Sequence, residues 1–143
     1  SAKQITDEII VVIDDRTIDK TQEIAKKLGA KYVRGFDIDE WSVENSIENA
    51  QLNECEDVVF VKGTIREEDQ MQYDVLIANI NRNILLDEME EYAKRLHSGG
   101  YLLLSGFYLQ DVPSLTKKAA SFGIHQINFL EKNNWVSLLL KKQ

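Results

Sequence analysis

Three acidic residues follow the second apolar run of this chain, within the segment Asp37-Ile38-Asp39-Glu40. In a doubly wound sheet the ligand lies outside the carboxyl ends of the strands, where an acid can accept hydrogen bonds from ribose hydroxyls. Asp37 stands at the end of the run, which predicts this role for it. Asp39 has another interpretation, because aspartate is a common N-cap and a helical pattern begins near Trp41. The segment therefore predicts a nucleoside-binding position at Asp37.

Metal binding is not predicted for any residue of the chain. The single cysteine, Cys55, cannot form an internal disulfide and has no ligand partner nearby, so we expect a small surface or half-buried residue. His97 and His125 are isolated, with no cysteine or carboxylate at the spacing of a zinc site.

Charge and length limit the class of protein. The 143 residues fit one domain, and the net charge of −7 argues against a nucleic-acid partner. Residues 37–91 hold 16 acids against 3 bases, which is compatible with a basic protein substrate as well as with a solvated surface. The apolar runs are too short to span a membrane, and no secretory signal is recognisable, so a cytoplasmic protein is expected. The oligomeric state is left open.

Short β-branched runs alternate with amphipathic stretches, a pattern typical of a parallel sheet covered by helices on both faces. Strands are predicted near residues 8–13, 31–37, 57–63, 73–79 and 100–106, followed by two runs at 124–130 and 135–141. The last two runs are joined by Glu131-Lys132-Asn133-Asn134, which predicts an antiparallel hairpin. Gly99 is predicted to end the long helix before the fifth strand, and Gly123 to end a helix that begins near Pro113.

Three helical faces are predicted to pack into the core, and they are formed by Ile24, Ala25 and Leu28, by Val43, Ile47 and Ala50, and by Leu85, Met89, Tyr92 and Leu96. Five helix-linked strands and a terminal hairpin predict one Rossmann-like α/β domain over residues 1–143. Its seven-stranded sheet should have the order 3-2-1-4-5-7-6, with the seventh strand antiparallel.

Three segments carry a resemblance to a known family: residues 37–53, residues 73–85, and Ser98-Gly99-Gly100 with the strand that follows, through Ser105-Gly106. Together with the closing Asn133-Asn134-Trp135-Val136 they resemble the methyltransferases that modify lysines of large-subunit ribosomal protein eleven. The resemblance covers residues 30–143. It implies the cofactor S-adenosylmethionine, with Asp37 on its ribose and Asn79 beside the reacting methyl group.

This chain departs from that family at several positions. After the third strand the family has Gly-Asp, whose carboxylate accepts from the adenine amino group, where this chain has Gly63-Thr64. We interpret the Thr64 hydroxyl as a weaker and shorter substitute. The family's glycine-rich loop after the first strand is replaced by residues 14–19, in which Arg16 and Ile18 place bulk where the cofactor needs a close backbone approach. We expect no counterpart of the family's N-terminal recognition domain in this sequence.

The opening of the chain has a resemblance of its own. Residues 7–31 resemble the first strand-helix-strand of family-two nucleotide-sugar glycosyltransferases, which implies that Asp14 or Asp15 contacts a nucleotide. Residues 1–30 then form a replaced first unit, and the chain is interpreted as a hybrid, natural or engineered. The small Ser1-Ala2 start is compatible with a cleavage scar.

Three functions are open at this point. The favoured hypothesis is a hybrid scaffold that keeps the methyltransferase sheet and has lost catalysis with its glycine loop. The second is an active S-adenosylmethionine-dependent methyltransferase of a ribosomal protein, with Asn79 as its catalytic residue. The third is a nucleotide or nucleotide-sugar binding module that uses Asp14 and Asp15.

Overall fold

The computed structural model describes residues 8–12, 30–55, 58–68 and 71–143. Seven strands form one sheet in the order β3-β2-β1-β4-β5-β7-β6, which agrees with the predicted order. The strands are β1 (Glu8–Val12), β2 (Tyr32–Asp37), β3 (Val58–Lys62), β4 (Tyr73–Asn79), β5 (Leu96–Tyr108), β6 (Ile124–Lys132) and β7 (Trp135–Lys142). The pairs among β1 to β5 are parallel, and β7 is antiparallel to both β5 and β6.

Three α-helices are described: α1 (Glu40–Leu52), α2 (Arg82–Arg95) and α3 (Val112–Ala120). The helices pack on both faces of the sheet. Successive residues of a strand point to opposite faces, so one strand contributes side chains to the core on each side. Leu76 and Ala78 of β4 join the core that contains α2 and α3, whereas Val75 and Ile77 pack against a second cluster that contains Ala50 of α1. The predicted helix of Ile24, Ala25 and Leu28 lies outside the described residues.

The terminal hairpin forms where it was predicted. Asn133 and Asn134 both adopt positive φ, 53° and 69°, as a two-residue turn of the primed type requires, and asparagine tolerates this conformation better than most residues. The turn therefore sets the register that pairs Lys132 with Trp135.

The end of α2 was predicted wrongly. The helix ends at Arg95, and β5 begins at Leu96, four residues before the predicted start of the strand. Leu96 pairs with Tyr73 and is fully buried, so sheet pairing replaces the last helical turn. Gly99, with φ of 82°, therefore does not end the helix. It lies in the irregular stretch of β5 before regular pairing with β4 resumes at Tyr101.

The core faces of the helices follow the prediction in α2 and depart from it in α1. Leu85, Met89 and Tyr92 of α2 are buried, and Leu96 is also buried although it belongs to β5. On α1, Ala50 is buried but Ile47 is 41% exposed. The reason is that α1 packs mainly on β3, the edge strand, so among the described residues no further strand covers the outer side of the helix. Cys55 is buried beside Ala50, more deeply than predicted.

Glu88 of α2 carries a buried carboxyl group, and its protonation makes the stability of the fold depend on pH. Burial raises the pKa of Glu88, and the hydroxyl of Tyr92, which donates to Oε2 at 2.7 Å, opposes that rise. A carboxyl group with a folded-state pKa above its unfolded value stabilises the fold at low pH and loses this contribution as the pH rises through the folded pKa.

Glu88→Gln is therefore expected to become more stable relative to the native chain as the pH rises from about 4 to about 7.5. The glutamine oxygen can still accept from Tyr92 and carries no charge to desolvate. Urea unfolding at both pH values checks this, with Glu90→Gln on the exposed side of α2 as the control. An equal difference in the free energy of unfolding at the two pH values would contradict it.

Candidate functional site

The sheet brings the predicted residues of β2, β3 and β4 to one edge. Asp37 is the last residue of β2 and pairs with Lys62, so Gly63 and Thr64 follow directly beside it. Val12 of β1 pairs with both Phe36 and Ala78, so Asp37 and Asn79 come one residue later on either side of β1. At the usual spacing of strands they lie about 10 Å apart. This distance suits one extended ligand that crosses the end of β1.

The two interpretations of the acidic segment divide between its two aspartates. Asp39 is the N-cap of α1, and its Oδ2 accepts from the backbone N–H and the hydroxyl of Ser42 at 3.3 and 3.0 Å. Asp37 accepts from the Asp39 N–H through Oδ1 at 2.8 Å, which fixes its carboxylate at the strand end. Asp37 is thus oriented at the edge while Asp39 begins the helix.

The predicted use of Thr64 as an acceptor for a ligand stays a prediction, and its hydroxyl already has partners within the chain. Thr64 is the N-cap of a short 3-10 turn, Ile65–Glu67. Its hydroxyl oxygen accepts from the Arg66 N–H at 3.1 Å, and its hydroxyl donates to Glu67 Oε2 at 3.0 Å. The hydroxyl is therefore occupied within its own turn, because this turn needs a cap.

Glu67 was missed in the sequence although its carboxylate lies at the same edge. The Thr64 backbone N–H also donates to Glu67 Oε2, which completes a capping box. The signal was present, since threonine followed three residues later by glutamate is the pattern of that motif. These hydrogen bonds from Thr64 hold the pKa of the exposed Glu67 carboxyl below its usual range. A fixed, ionised carboxylate therefore stands beside Gly63.

Asn79 is held by a side chain of the neighbouring strand. Ser105 of β5 pairs with Asn79, and its hydroxyl donates to Asn79 Oδ1 at 2.9 Å. With its oxygen turned toward Ser105, the amide presents its Nδ2 group on the opposite side. Ser105 belongs to a segment that carries the family resemblance, but no role of its own was predicted for it.

A close backbone crossing fixes the same corner. Gly106 has φ of 91°, and a Cβ atom at this position would lie 2.6 Å from the carbonyl oxygen of Ile80. Only glycine therefore lets the end of β5 approach the chain that leaves Asn79. The pair Ser105-Gly106 both orients the amide and brings the two strand ends together.

The start of α2 links the site to α3. Asn81 is the N-cap of α2, and its Oδ1 accepts from the backbone N–H groups of Asn83 and Ile84. Arg82 Nε lies 3.3 Å from Asp111 Oδ1 and donates to Ser114 Oγ at 3.3 Å. The segment after Asn79 is thus anchored at both helices.

Other surfaces of the described residues show apolar exposure. Ile38 and Trp41, next to Asp37, are 70% and 64% exposed. A groove of about 420 Å³ lies between α1 and β3, lined by Ile47, Ala50, Gln51, Val58 and Phe60. None of these five is a predicted site residue, so the groove is separate from the edge that carries Asp37 and Asn79.

Several predicted features fall outside the description. Asp14, Asp15, Arg16 and Ile18 lie in a segment that the structure does not describe, so the nucleotide interpretation stays a prediction. Within residues 30–55, 58–68 and 71–143, no group of three histidine, cysteine or acidic residues is arranged to hold a metal ion. No helix of the described part is both long enough and apolar enough to cross a membrane.

Solved structures with the same arrangement of strands and helices define the class of protein. A ribosomal protein L11 methylase from Lactobacillus delbrueckii subsp. bulgaricus superposes with a TM-score of 0.81 over 94% of this chain and 70% of that chain, at 26% identity. A methyltransferase from Pyrococcus furiosus superposes with a TM-score of 0.76 over 94% of this chain and 75% of that chain, at 20% identity, which shows the fold alone. The fold is therefore the Rossmann-like α/β fold of methyltransferases.

Sequence relatives give the family. The family described as ribosomal protein L11 methyltransferase (PrmA) matches residues 24–143. A ribosomal protein L11 methyltransferase of Porphyromonas gingivalis is 47% identical over 116 residues, 80% of this chain and 40% of that protein. One of Thermotoga neapolitana is 32% identical over 119 residues, 83% of this chain and 45% of that protein. The chain belongs to the ribosomal protein L11 methyltransferase (PrmA) family, and it spans less than half the length of these relatives.

Proposed function

We propose that this chain is the catalytic part of an S-adenosylmethionine-dependent methyltransferase that acts on a ribosomal protein. The observation that carries the proposal is the pairing of Asn79 with Ser105 at the edge that also presents Asp37. Family membership favours this function over the non-catalytic hybrid scaffold, because the relatives named above are methyltransferases.

The residues at the edge fit the proposed cofactor. Its ribose needs hydrogen-bond acceptors, and Asp37 supplies an oriented carboxylate at the end of β2. Its reactive end needs a polar group that can orient a neutral amine, and Asn79 supplies an amide two strands away. S-adenosylmethionine would supply the electrophilic methyl group of the reaction.

Methyl transfer is an in-line displacement in which the lysine nitrogen bonds to the methyl carbon as the bond from that carbon to sulfur breaks. The lysine ammonium must first lose a proton to water, because only a neutral and aligned amine can attack. The methylated nitrogen would then carry the positive charge that the sulfonium loses, and the thioether S-adenosylhomocysteine would leave. Asn79 contributes by orientation rather than by acid-base catalysis, since an amide neither gains nor loses a proton near neutral pH. Ser105 is a positioning residue, because it acts only through the Asn79 oxygen.

A basic protein is the substrate class that we propose. The relatives are named for ribosomal protein L11. Residues 37–91 hold 16 acids against 3 bases, and they include both Asp37 and Asn79. An acidic surface raises the local concentration of a lysine-rich partner and disfavours nucleic acid.

The test is methyl transfer from isotope-labelled S-adenosylmethionine to purified ribosomal protein L11. Incorporation into the protein is expected for the native chain. Asp37→Ala should weaken binding of S-adenosylhomocysteine by about 10-fold or more, because it removes a charged acceptor. Glu48→Ala, on an exposed position of α1, is the matched control. The proposal would be overturned if the native chain incorporated no label into the protein and did not bind S-adenosylhomocysteine.

The hybrid scaffold remains the second candidate because the segment from Asp14 to Asp19 contains no glycine. Arg16→Gly together with Ile18→Gly should improve affinity for S-adenosylhomocysteine, since backbone N–H groups and a helix N-terminus then reach its carboxylate. Each glycine should cost on the order of 0.5–1 kcal/mol of stability. A lower melting temperature without any gain in affinity would favour the scaffold.

A further inference from the structure

We propose that Glu67 accepts the hydrogen bond of the cofactor's adenine amino group, and so selects a 6-aminopurine over a 6-oxopurine. This inference rests on the proposed function. It assigns to residue 67 the recognition role that the resemblance implies for residue 64. The Thr64 hydroxyl already accepts from Arg66 and donates to Glu67, whereas a carboxylate has acceptor sites on two oxygens.

The direction of the bound cofactor follows from the order of the strands. Under the proposed function, Asn79 on β4 would hold the reactive end and Asp37 on β2 would hold the ribose, with β1 between them. The base is attached to the far side of the ribose from the reactive end. Residues on the β3 side of Asp37, where the chain continues into Gly63, would therefore hold the base.

The Glu67 carboxylate occupies this place. A Cβ atom at Gly63 would lie 3.0 Å from Glu67 Oε2, so the side chain folds back over the glycine. The Gly63 N–H donates to the carbonyl oxygen of Asp37 at 2.8 Å, which joins this turn to the ribose position. The acid and Asp37 are thus neighbours at the same edge.

The turn that carries Glu67 is fixed on its inner side. Ile65 is 1% exposed, and the Glu68 carboxylate is paired with Arg34 at 2.7 Å and accepts from the Tyr73 hydroxyl at 3.0 Å. The guanidinium of Arg95 donates to the carbonyl oxygen of Glu68 at 3.0 and 2.7 Å. Because Ile65 before it and Glu68 after it are anchored in this way, Glu67 is held in place before any ligand binds.

The chemistry of the carboxylate sets the preference. An ionised carboxylate only accepts hydrogen bonds, so it pairs with the exocyclic amine of adenine. A 6-oxopurine presents an acceptor at that position, which a carboxylate repels. Hydrogen bonding from Thr64 keeps the Glu67 carboxyl in its ionised form, with its pKa below the usual range.

The experiment compares binding of S-adenosylhomocysteine and S-inosylhomocysteine by calorimetric titration. The native chain should prefer the adenosyl compound by about 10-fold to 100-fold. Glu67→Gln should reduce this ratio by about 10-fold, because the neutral amide can also donate to a 6-oxo group. Glu131→Gln is the matched control, since Glu131 also accepts from a backbone N–H three residues along, at Asn134, in the distant hairpin.

A second variant separates recognition from the stability of the turn. Thr64→Asp, added to Glu67→Gln, places a carboxylate at residue 64 and should restore the preference for the adenosyl compound. A Glu67→Gln protein that binds and keeps the native ratio would overturn the inference alone. A native chain that binds neither compound would overturn the proposed function, and this inference with it.

Discussion

Replacing Asn79 with alanine is expected to lower the rate of methyl transfer by about 100-fold, with a much smaller change in affinity for S-adenosylhomocysteine. The reason is that the amide aligns the reacting groups, and loss of alignment costs rate more than binding. Single-turnover kinetics with labelled cofactor measure the rate, and calorimetry measures the affinity. Asn128→Ala on exposed β6 is the matched control.

Ser105→Ala tests whether the contact between Ser105 and Asn79 transmits this effect. Removing one hydroxyl donor should lower kcat about 10-fold and leave KM for the cofactor nearly unchanged. In the Asn79→Ala background the same change should have little further effect, because the two side chains act as one unit. Full additivity of the two substitutions, or native activity of Asn79→Ala, would show that the amide does not act in the reaction.

Gly106→Ala is expected to destabilise the fold by about 2–4 kcal/mol, which sums a positive-φ penalty and a steric overlap. A Cβ atom there would lie 2.6 Å from the Ile80 carbonyl oxygen, and backbone at that distance cannot move aside cheaply. Because the crossing also fixes the strand ends around Asn79, methyl transfer should fall with stability.

Gly99→Ala provides the matched control for the overlap. Gly99 has a similar φ of 82°, but a Cβ atom there meets nothing within 4 Å. This substitution should cost only the backbone penalty of about 1–2 kcal/mol. Urea unfolding of the two variants isolates the steric part, and equal destabilisation by both would contradict the close crossing.

The strands could be predicted from sequence because their signals are local. The run at residues 73–79 became β4 with the same bounds, and the pair Asn133-Asn134 gave the hairpin. The sheet order followed because few right-handed arrangements connect such elements. Asp37 and Asn79 came to the same edge for the same reason, since parallel strands place their carboxyl ends together.

The missed features depend on contacts between distant parts of the chain. The early end of α2 arises from the pairing of Leu96 with Tyr73, which helical periodicity does not contain. The contact between Ser105 and Asn79 joins two residues that are 26 positions apart in sequence. Exposure of Ile47 follows from the position of β3 at the sheet edge, a property of the assembled sheet.

Glu67 was missed for another reason. Its capping pattern is local and visible in the sequence, but Glu67 lies three residues beyond the position to which the resemblance assigns the adenine contact. The structure shows that a short turn can return a carboxylate to the strand end from three residues further along.

Calorimetric titration of the whole chain with S-adenosylhomocysteine tests the central claim most directly, with a uridine diphosphate sugar as the competing ligand for the nucleotide interpretation. The proposed methyltransferase site predicts micromolar binding of S-adenosylhomocysteine that weakens about 10-fold or more in Asp37→Ala, and no comparable binding of the sugar nucleotide. Millimolar or absent binding of S-adenosylhomocysteine, or micromolar binding of the sugar nucleotide alone, would contradict it.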